Sequence, residues 1–245
     1  MLGIQIYTVR ALMQNPQDAE NTLKSLMDMG YECIQLAGGI ESIRSVADAA
    51  KKTGMKVIGI LTNINTFRTA FEETVAIAKE LGARDLGISG NAKTEPEARD
   101  LVIEANEFAK KTREAGFSFS YHNHSHEFLK TECGLRVMDI LLEGFDKELI
   151  DLMPDTYWLQ HGGVDVRDFI ETNKDRITLL HLKDMKRVPD GVTFAECGEG
   201  NLNMRGIIET AKKCNIKDFI VEQDICDGDP LVSARISYKN LKELI

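Results

Sequence analysis

Short apolar runs alternate along the whole chain with longer stretches in which apolar residues recur every three or four positions. The short runs predict eight strands, at residues 3–7, 33–36, 56–61, 85–89, 118–122, 152–155, 178–182 and 219–222. The longer stretches predict eight helices, at about 16–29, 40–53, 66–81, 95–115, 134–144, 165–174, 203–214 and 230–244. In 66–81, for example, Phe67, Phe71, Val75 and Ala78 indicate one buried helical face.

Eight strand–helix units in 245 residues are typical of an α/β protein with the single (β/α)8 TIM-barrel fold. Pro16, Pro96 and Pro230 stand where the first residue of a helix is expected, which supports the predicted boundaries. The rival fold is a doubly wound open sheet. A dinucleotide-binding sheet would place G-x-G-x-x-G after an early strand, whereas Tyr7-Thr8-Val9-Arg10 follows here. Without a linker or low-complexity segment, we expect one barrel domain over residues 1–245.

The acidic charge balance narrows the range of partners. The chain has 30 Lys and Arg residues against 39 Asp and Glu residues, a formal net charge of -9, which repels phosphate backbones and anionic lipids. We therefore expect no nucleic acid and no membrane as partner. The five cysteines are scattered without a C-x-x-C pair, and the N-terminal residues lack a signal-peptide pattern. The expectation is a cytoplasmic protein with reduced thiols, and a homo-oligomer is compatible with it.

Ionisable residues collect at the C-terminal ends of predicted strands five to eight, where TIM barrels carry their active sites. A divalent ion needs oxygen and nitrogen donors from several chain segments, and these ends supply Glu127, Asp155, His181 and Glu222. A single His at a strand end is usually a hydrogen-bonded surface or core residue, and a single Asp there is usually a helix cap or turn former. His181 and Glu222 each end an apolar run, where an unpaired polar group is costly. The cluster as a whole therefore predicts a site for Mn²⁺, Mg²⁺, Co²⁺ or Zn²⁺.

Five motifs in fixed order carry a resemblance to a known family. They are Gly3-Ile4-Gln5-Ile6-Tyr7-Thr8-Val9-Arg10, His122-Asn123-His124-x-x-Glu127-Phe128, His181-Leu182-Lys183-Asp184, Gly198-Glu199-Gly200-Asn201 and Val221-Glu222-Gln223-Asp224. Together they resemble the sugar phosphate isomerase/epimerase family of the xylose isomerase-like TIM-barrel superfamily. The resemblance runs from the first strand to the last helix. It implies a metal-dependent isomerase or epimerase of carbohydrate metabolism and leaves the sugar open.

The resemblance also implies a ligand set. In this superfamily Glu, Asp, His and Glu from strands five to eight hold the metal. Asp155, His181 and Glu222 match the ligands of the last three of these strands. For the fifth strand we favour Glu127, with His122 as the alternative, because His122 stands where related epimerases have Glu. We expect Mn²⁺ first, with Mg²⁺, Co²⁺ or Zn²⁺ as alternatives. Trp158 stands where those epimerases often have His, so a contact that this His would make in the binding site is altered here.

The expected chemistry passes through an enediolate that the metal stabilises. Glu127 and Glu222, on opposite faces of the substrate, would remove and return the proton, and Lys183 would neutralise the developing charge or pair with Asp184. His122, His124 and Trp158 are expected to bind the sugar, although Trp158 fits simple packing at the barrel mouth equally well. Residues 184–197 are long for a strand–helix loop and predict a lid.

We expect a small carbohydrate as the partner, and four hypotheses about the function follow. The first is a metal-dependent isomerase or epimerase. The second is a lyase or dehydratase on a keto-sugar or inosose, which shares the same intermediate. The third, an endonuclease IV-like nuclease, is disfavoured by the net charge of -9 and by only five histidines. The fourth is a sugar-binding barrel without catalysis, which predicts neither a metal nor proton exchange.

Overall fold

Eight parallel strands surrounded by helices form a nearly closed barrel in the computed structural model, which describes residues 1–245. The barrel strands are β1 (Leu2–Gln5), β2 (Cys33–Ala37), β3 (Val57–Asn63), β4 (Asp85–Ser89), β5 (Ser118–His122), β6 (Ile150–Met153), β7 (Leu180–Leu182) and β10 (Phe219–Val221). The remaining two strands, β8 (Asp184–Val188) and β9 (Gly191–Ala195), form an antiparallel hairpin outside the barrel. The predicted TIM barrel is confirmed.

Nine α-helices connect the strands. They are α1 (Pro16–Met29), α2 (Ile40–Thr53), α3 (Ile64–Leu81), α4 (Glu95–Glu114), α5 (Val137–Gly144), α6 (Thr156–His161), α7 (Val166–Asn173), α8 (Met204–Lys213) and α9 (Pro230–Leu241). Short 3₁₀ helices cover Ile6–Leu12, His126–Phe128 and Lys174–Arg176. The prolines at residues 16, 96 and 230 lie in the first turns of α1, α4 and α9, as the sequence predicts. No helix is both long and apolar enough to span a membrane.

Hydrogen-bonded ladders join the strands in the order β6-β5-β4-β3-β2-β1-β10-β7. Between β6 and β7 the barrel has no continuous ladder. Two isolated parallel bridges, Leu152 with Ile177 and Asp155 with His181, cross this gap instead, and the His181 amide donates to the Pro154 carbonyl at 2.9 Å. We refer to this junction of β6 and β7 as the seam.

Two separate apolar clusters stabilise the fold. The larger contains 60 buried residues and includes the apolar faces of the helices packed on the strands. The smaller consists of Cys33, Ile58, Leu61, Met153, Leu179 and Ile220. A Cβ atom added to Gly3 would collide with Cys33 Sγ and Ile220 Cδ1, so the absence of a side chain at Gly3 allows this smaller cluster to close.

The structure departs from the predicted elements after β6 and after β7. Strand β6 ends before Pro154, which has no N–H to donate to a ladder, so Asp155 becomes the N-cap of the short helix α6, which was not predicted. Residues 184–197, predicted as a lid loop, form the hairpin β8–β9 and its C-terminal extension. Its Phe194 ring stacks on Tyr157 with 4.4 Å between ring centroids, which places the hairpin beside the barrel mouth.

Candidate metal centre

Four polar side chains from consecutive ends of the barrel strands converge at the mouth. His122 ends β5, Asp155 follows β6, His181 lies in β7 and Glu222 follows β10. Each offers a ligand atom within 4.8 Å of those of the other three, and all four residues are buried. We call this group the inner cluster. Two imidazoles and two carboxylates are a donor set that divalent ions such as Mn²⁺, Co²⁺ or Zn²⁺ accept.

The hydrogen bonds of His181 orient its ring for such a role. Its Nε2 lies 2.8 Å from Oε1 of Gln35 and its Nδ1 lies 2.6 Å from Oε2 of Glu222. Gln5 also donates to Gln35 Oε1, at 2.7 Å. A histidine that binds a metal commonly donates its other N–H to a carbonyl or carboxylate oxygen. Gln35 supplies that oxygen, which leaves Nδ1 facing the inner cluster.

Two buried atoms of the inner cluster make no hydrogen bond. These are Nδ1 of His122 and Oδ2 of Asp155. The other carboxylate oxygen of Asp155 accepts from the Trp158 amide at 3.0 Å, and the Asp155 amide donates to Asn123 at 3.1 Å, so the carboxylate is held in place. Buried polar atoms without a partner are rare and need an explanation. A divalent ion among these side chains would provide one.

The ammonium group of Lys183 lies against the same carboxylates. Its Nζ is 2.5 Å from Asp224 Oδ1, 3.5 Å from Asp155 Oδ2 and 3.6 Å from Glu222 Oε1, and the side chain is 1% exposed. Burial lowers the pKa of Lys183, but the carboxylates outweigh that effect and raise it above 10.5. Three carboxylates and one ammonium leave a formal charge of two negative units, which a divalent cation would balance.

Burial sets the protonation of the other groups. It raises the pKa of Asp155 to about 7, an effect that Lys183 opposes. Burial also opposes ionisation of Glu222, but Lys183 and His181 outweigh it and hold the pKa of Glu222 well below its ordinary value. Burial lowers the pKa of His122 strongly and that of His124 to about 4. Both rings are therefore neutral near pH 7, the form that binds metals.

Glu127, the residue favoured from the sequence as the fifth-strand ligand, lies outside the inner cluster. Its carboxylate accepts hydrogen bonds from the Tyr121 hydroxyl at 2.9 Å and from the His124 amide at 2.9 Å. Burial raises its pKa to about 7. His122, the alternative from the sequence, stands in the inner cluster instead. The 3₁₀ turn His126–Phe128 directs Glu127 back toward its own segment.

A polar cavity of about 200 Å³ opens beside the inner cluster. Its lining comprises Gln5, Tyr7, Ala37, Gly38, Leu61, Thr62, Asn63, Ser89, His122, His124, Glu222 and Asp224. Only His122 and Glu222 of the inner cluster reach this lining. Most of the remaining wall is neutral, with hydroxyl and amide groups that suit the hydroxyl groups of a small polar molecule.

The other predicted site residues surround this cavity without lining it. Trp158 packs next to the Lys183 ammonium, which lies 5.0 Å from the Trp158 ring centroid, and its ring is 5.4 Å from that of His124. Glu127 lies behind His124. Lys183 would act on a molecule in the cavity through Asp224, Glu222 or Asp155, which it contacts.

Three residues of the site were not predicted from the sequence. Asp224 follows Glu222 in the last of the five motifs, and it lines the cavity and pairs with Lys183. Gln5 and Gln35 hold His181 and are fully buried. Each Gln interrupts an apolar strand, in Gly3-Ile4-Gln5-Ile6 and in Cys33-Ile34-Gln35-Leu36. A polar amide inside an apolar strand is the signal that marks them, because it is buried only when it is hydrogen-bonded.

Comparisons with known proteins agree with the predicted resemblance. The model of the family described as xylose isomerase-like TIM barrel matches residues 23–243. An inosose dehydratase of Mesomycoplasma hyopneumoniae (strain 7448) is 26% identical over 172 residues, which cover 62% of this chain and 56% of that protein. The chain therefore spans little more than half of this curated relative.

Solved structures show the same fold at lower identity. A sugar phosphate isomerase/epimerase of Parabacteroides distasonis superimposes with a TM-score of 0.84 at 22% identity, covering 99% of this chain and 97% of that one. A protein described as IOLI, solved with a bound zinc atom, superimposes with a TM-score of 0.72 at 14% identity and covers 99% and 97%.

Proposed function

The chain belongs to the xylose isomerase-like TIM-barrel family, and from this membership and the site geometry we propose that it is a metal-dependent enzyme. The reaction would remove a proton from the carbon next to a carbonyl group of a sugar or an inosose. The observation that carries the proposal is the inner cluster, in which four donors from consecutive strand ends meet beside a polar cavity.

His122, Asp155, His181 and Glu222 are the proposed ligands of the metal. Two observations support this set. Nδ1 of His122 and Oδ2 of Asp155 have no hydrogen-bond partner, and the carboxylates around Lys183 leave a negative formal charge. A divalent ion bound there would polarise the substrate's carbonyl oxygen and so acidify the neighbouring C–H. Mn²⁺ is our first choice, with Mg²⁺, Co²⁺ or Zn²⁺ as alternatives. We propose His122 rather than Glu127 as the ligand of the fifth strand.

Glu222 is the proposed proton acceptor. It is the only carboxylate of the inner cluster that lines the cavity, and Lys183 and His181 keep it ionised. Asp224 lines the same wall and offers a second carboxyl group that can return a proton. His124 also lines the cavity and is proposed to bind a substrate hydroxyl group, with the Trp158 ring centroid 5.4 Å from its own. Lys183 would hold the two carboxyl groups in position through its ion pairs.

An isomerase or epimerase is the first candidate, in line with the structural relatives. The position of Glu127 bears on the choice between them, because an epimerase with two opposed carboxylates needs Glu127 and Glu222 to face each other across the cavity. Glu127 is instead buried behind His124. The arrangement therefore favours proton transfer on one face of the substrate, as in an aldose–ketose isomerase.

A dehydratase is the second candidate, and one observation favours it. The curated relatives are inosose dehydratases, and elimination of water needs a base for the proton and an acid for the leaving hydroxyl group. Glu222 and Asp224 both line the cavity and can supply these two groups. This reaction begins with the same proton removal, so one assay addresses both candidates.

The test is proton exchange in D₂O with Mn²⁺-loaded protein and a panel of neutral ketoses and inososes. We expect deuterium to enter next to the carbonyl of at least one compound. Conversion to an isomer that differs in composition only by the incorporated deuterium would then identify an isomerase or epimerase, and loss of water a dehydratase. A protein that binds Mn²⁺ but exchanges no proton into any compound would contradict the proposal.

Two matched variants make the assay specific. Glu222→Gln should abolish exchange, because the amide cannot accept the proton. Glu199→Gln should leave exchange unchanged, because Glu199 bonds to Asn240 on the surface and not to the inner cluster.

A further inference from the structure

Four imidazole rings form a row that leads from the inner cluster toward solvent. The ring centroids are separated by 4.6 Å from His181 to His122, by 5.2 Å from His122 to His124 and by 5.7 Å from His124 to His126. His181 is fully buried, whereas the side chain of His126 is 20% exposed. The inner two rings belong to the inner cluster. Of the outer two, His124 lines the cavity and is proposed to bind substrate, whereas His126 has no role in the proposed reaction.

The outer rings make no hydrogen bond with the protein. Nδ1 of His124 and Nε2 of His126 are both buried and without a partner. A buried imidazole nitrogen normally has a hydrogen-bond partner, since leaving one unpaired costs about 1–3 kcal/mol. Nδ1 of His126, the nitrogen that faces Glu127 at 3.6 Å, has no hydrogen bond either. Two neighbouring rings without protein partners indicate that something other than a protein group completes them.

The carboxylate of Glu127 lies beside the rings of His124 and His126. Its Oε2 lies 3.6 Å from Nδ1 of His126, and His124, His126 and Glu127 each offer a ligand atom within 4.8 Å of the other two. Ligands of a tetrahedral zinc ion are separated by roughly 3.3–3.5 Å, so the His126–Glu127 spacing already fits. The Tyr121 hydroxyl and the His124 amide fix the carboxylate and leave it free lone pairs.

We propose that His124, His126 and Glu127 form a second cation site, which we call the outer site, and that it takes Zn²⁺. Two histidines and one glutamate are a donor set found at zinc sites that keep a fourth position open. The 3₁₀ turn His126–Phe128 brings the three side chains together within four consecutive residues. The outer site shares no ligand with the inner cluster, although His124 also lines the cavity of the proposed function, so the two sites need separate variants to test them.

Zinc stoichiometry tests the outer site. Protein freed of metal with a chelator is equilibrated with Zn²⁺, and bound zinc is counted by mass spectrometry. We expect two zinc ions per wild-type chain and one fewer in His126→Ala. A control, His161→Ala, should retain two, because His161 stacks on Tyr157 outside both groups. The outer site is overturned if His126→Ala binds as many zinc ions as the wild type.

The same count separates the outer site from the proposed metal centre. His181→Ala removes an inner ligand and should retain the outer ion. If the wild type binds one ion and His126→Ala binds none, the outer site stands and the inner centre fails. If the wild type binds one ion that His181→Ala loses and His126→Ala retains, the inner centre stands and the outer site fails.

A measurement on the wild type does not depend on how the variants fold. Anomalous diffraction at the zinc edge from zinc-loaded crystals should show an ion at about 2.0–2.1 Å from a nitrogen of His124 and of His126. Zinc-loaded crystals without anomalous density between these rings would overturn the outer site.

Discussion

At the scale of single residues, Lys183 offsets part of the negative charge at the inner cluster. Its ammonium is almost completely buried and lies within 3.6 Å of Asp155, Glu222 and Asp224. A buried ion pair adds little net stability, but removing one partner leaves the other charge without compensation. Lys183 is therefore more important for holding the carboxylates together than for the fold itself.

Lys183→Met tests this role. The substitution leaves the buried carboxylates of Asp155 and Glu222 and the partly exposed carboxylate of Asp224 without their cation, so the metal-free variant should lose about 3 kcal/mol of unfolding free energy. Mn²⁺ should stabilise the variant more than the wild type, because the ion replaces the missing positive charge. Urea unfolding with EDTA and with Mn²⁺ measures both effects. Lys186→Met is the control, since Lys186 pairs with Asp227 on the surface and its loss should change stability by less than about 1 kcal/mol.

Asp85 is a second buried carboxyl group, at the start of β4 and remote from the inner cluster in the chain. Its Oδ1 accepts from the hydroxyls of Ser118, at 2.8 Å, and Ser120, whereas Oδ2 has no partner. Burial raises the pKa of Asp85 from 3.8 to about 6. The folded protein therefore binds a proton that the unfolded chain releases between these two pH values, and its stability falls as the pH rises through this window.

Asp85→Asn should remove this pH dependence. The amide keeps the acceptor for both serines and cannot ionise. Relative to the wild type, its unfolding free energy should rise by about 2 kcal/mol between about pH 4 and pH 7. Urea unfolding of both proteins across this range gives the difference. A difference that stays constant with pH would show that Asp85 titrates normally in the folded protein.

Three of the four residues of the inner cluster were predictable from the sequence, but the fourth, His122, was only the alternative to Glu127. Asp155, His181 and Glu222 end apolar strands, and barrel topology brings such ends together. His122 and Glu127 are only five residues apart, and either side chain can reach the mouth. The choice depends on the 3₁₀ turn at His126–Phe128, whose geometry no periodic pattern reveals.

At the scale of elements, two helix ends that look alike in sequence differ in their surroundings. Gly30 and Gly54 end α1 and α2 with positive φ angles of 108° and 73°. A Cβ on Gly54 would meet no atom within 4 Å, whereas a Cβ on Gly30 would collide with the Tyr238 hydroxyl of α9. Gly30 thus serves the helix end and also the contact between α1 and α9.

Alanine substitutions at Gly30 and Gly54 should separate the cost of the left-handed backbone from the cost of the collision with Tyr238. Gly54→Ala imposes only the left-handed backbone, which costs about 1 kcal/mol. Gly30→Ala adds the collision with Tyr238 and should cost about 2 kcal/mol more. Thermal or urea unfolding of both variants provides the comparison. Equal losses would show that Tyr238 moves aside without cost.

The elements themselves were largely predictable, because strands and helices follow the apolar period and its Pro and Gly boundaries. The hairpin β8–β9 was missed. Its strands carry partly exposed side chains, and a two-stranded hairpin of this kind has no buried face to impose an alternating pattern. Its place is fixed by tertiary contacts such as that of Phe194 with Tyr157.

At the scale of the whole molecule, the net charge of -9 is accompanied by a local group of charges. Three carboxylates lie at the barrel mouth with one ammonium among them. Barrel closure is uneven. Seven of the eight junctions between neighbouring strands are ladders, and the seam is the eighth.

A metal ion in the inner cluster would also affect closure of the barrel. Asp155 and His181 lie on the two sides of the seam, so an ion held by both would link β6 to β7, the one pair of neighbouring strands that no ladder joins. Occupancy should then slow local opening more than it changes any distant helix. Hydrogen–deuterium exchange with and without Mn²⁺ measures this: the His181 amide should become several-fold better protected, while amides in α4 stay unchanged. Equal protection of both regions would mean that the barrel closes by itself and that metal loading has no part in completing its wall.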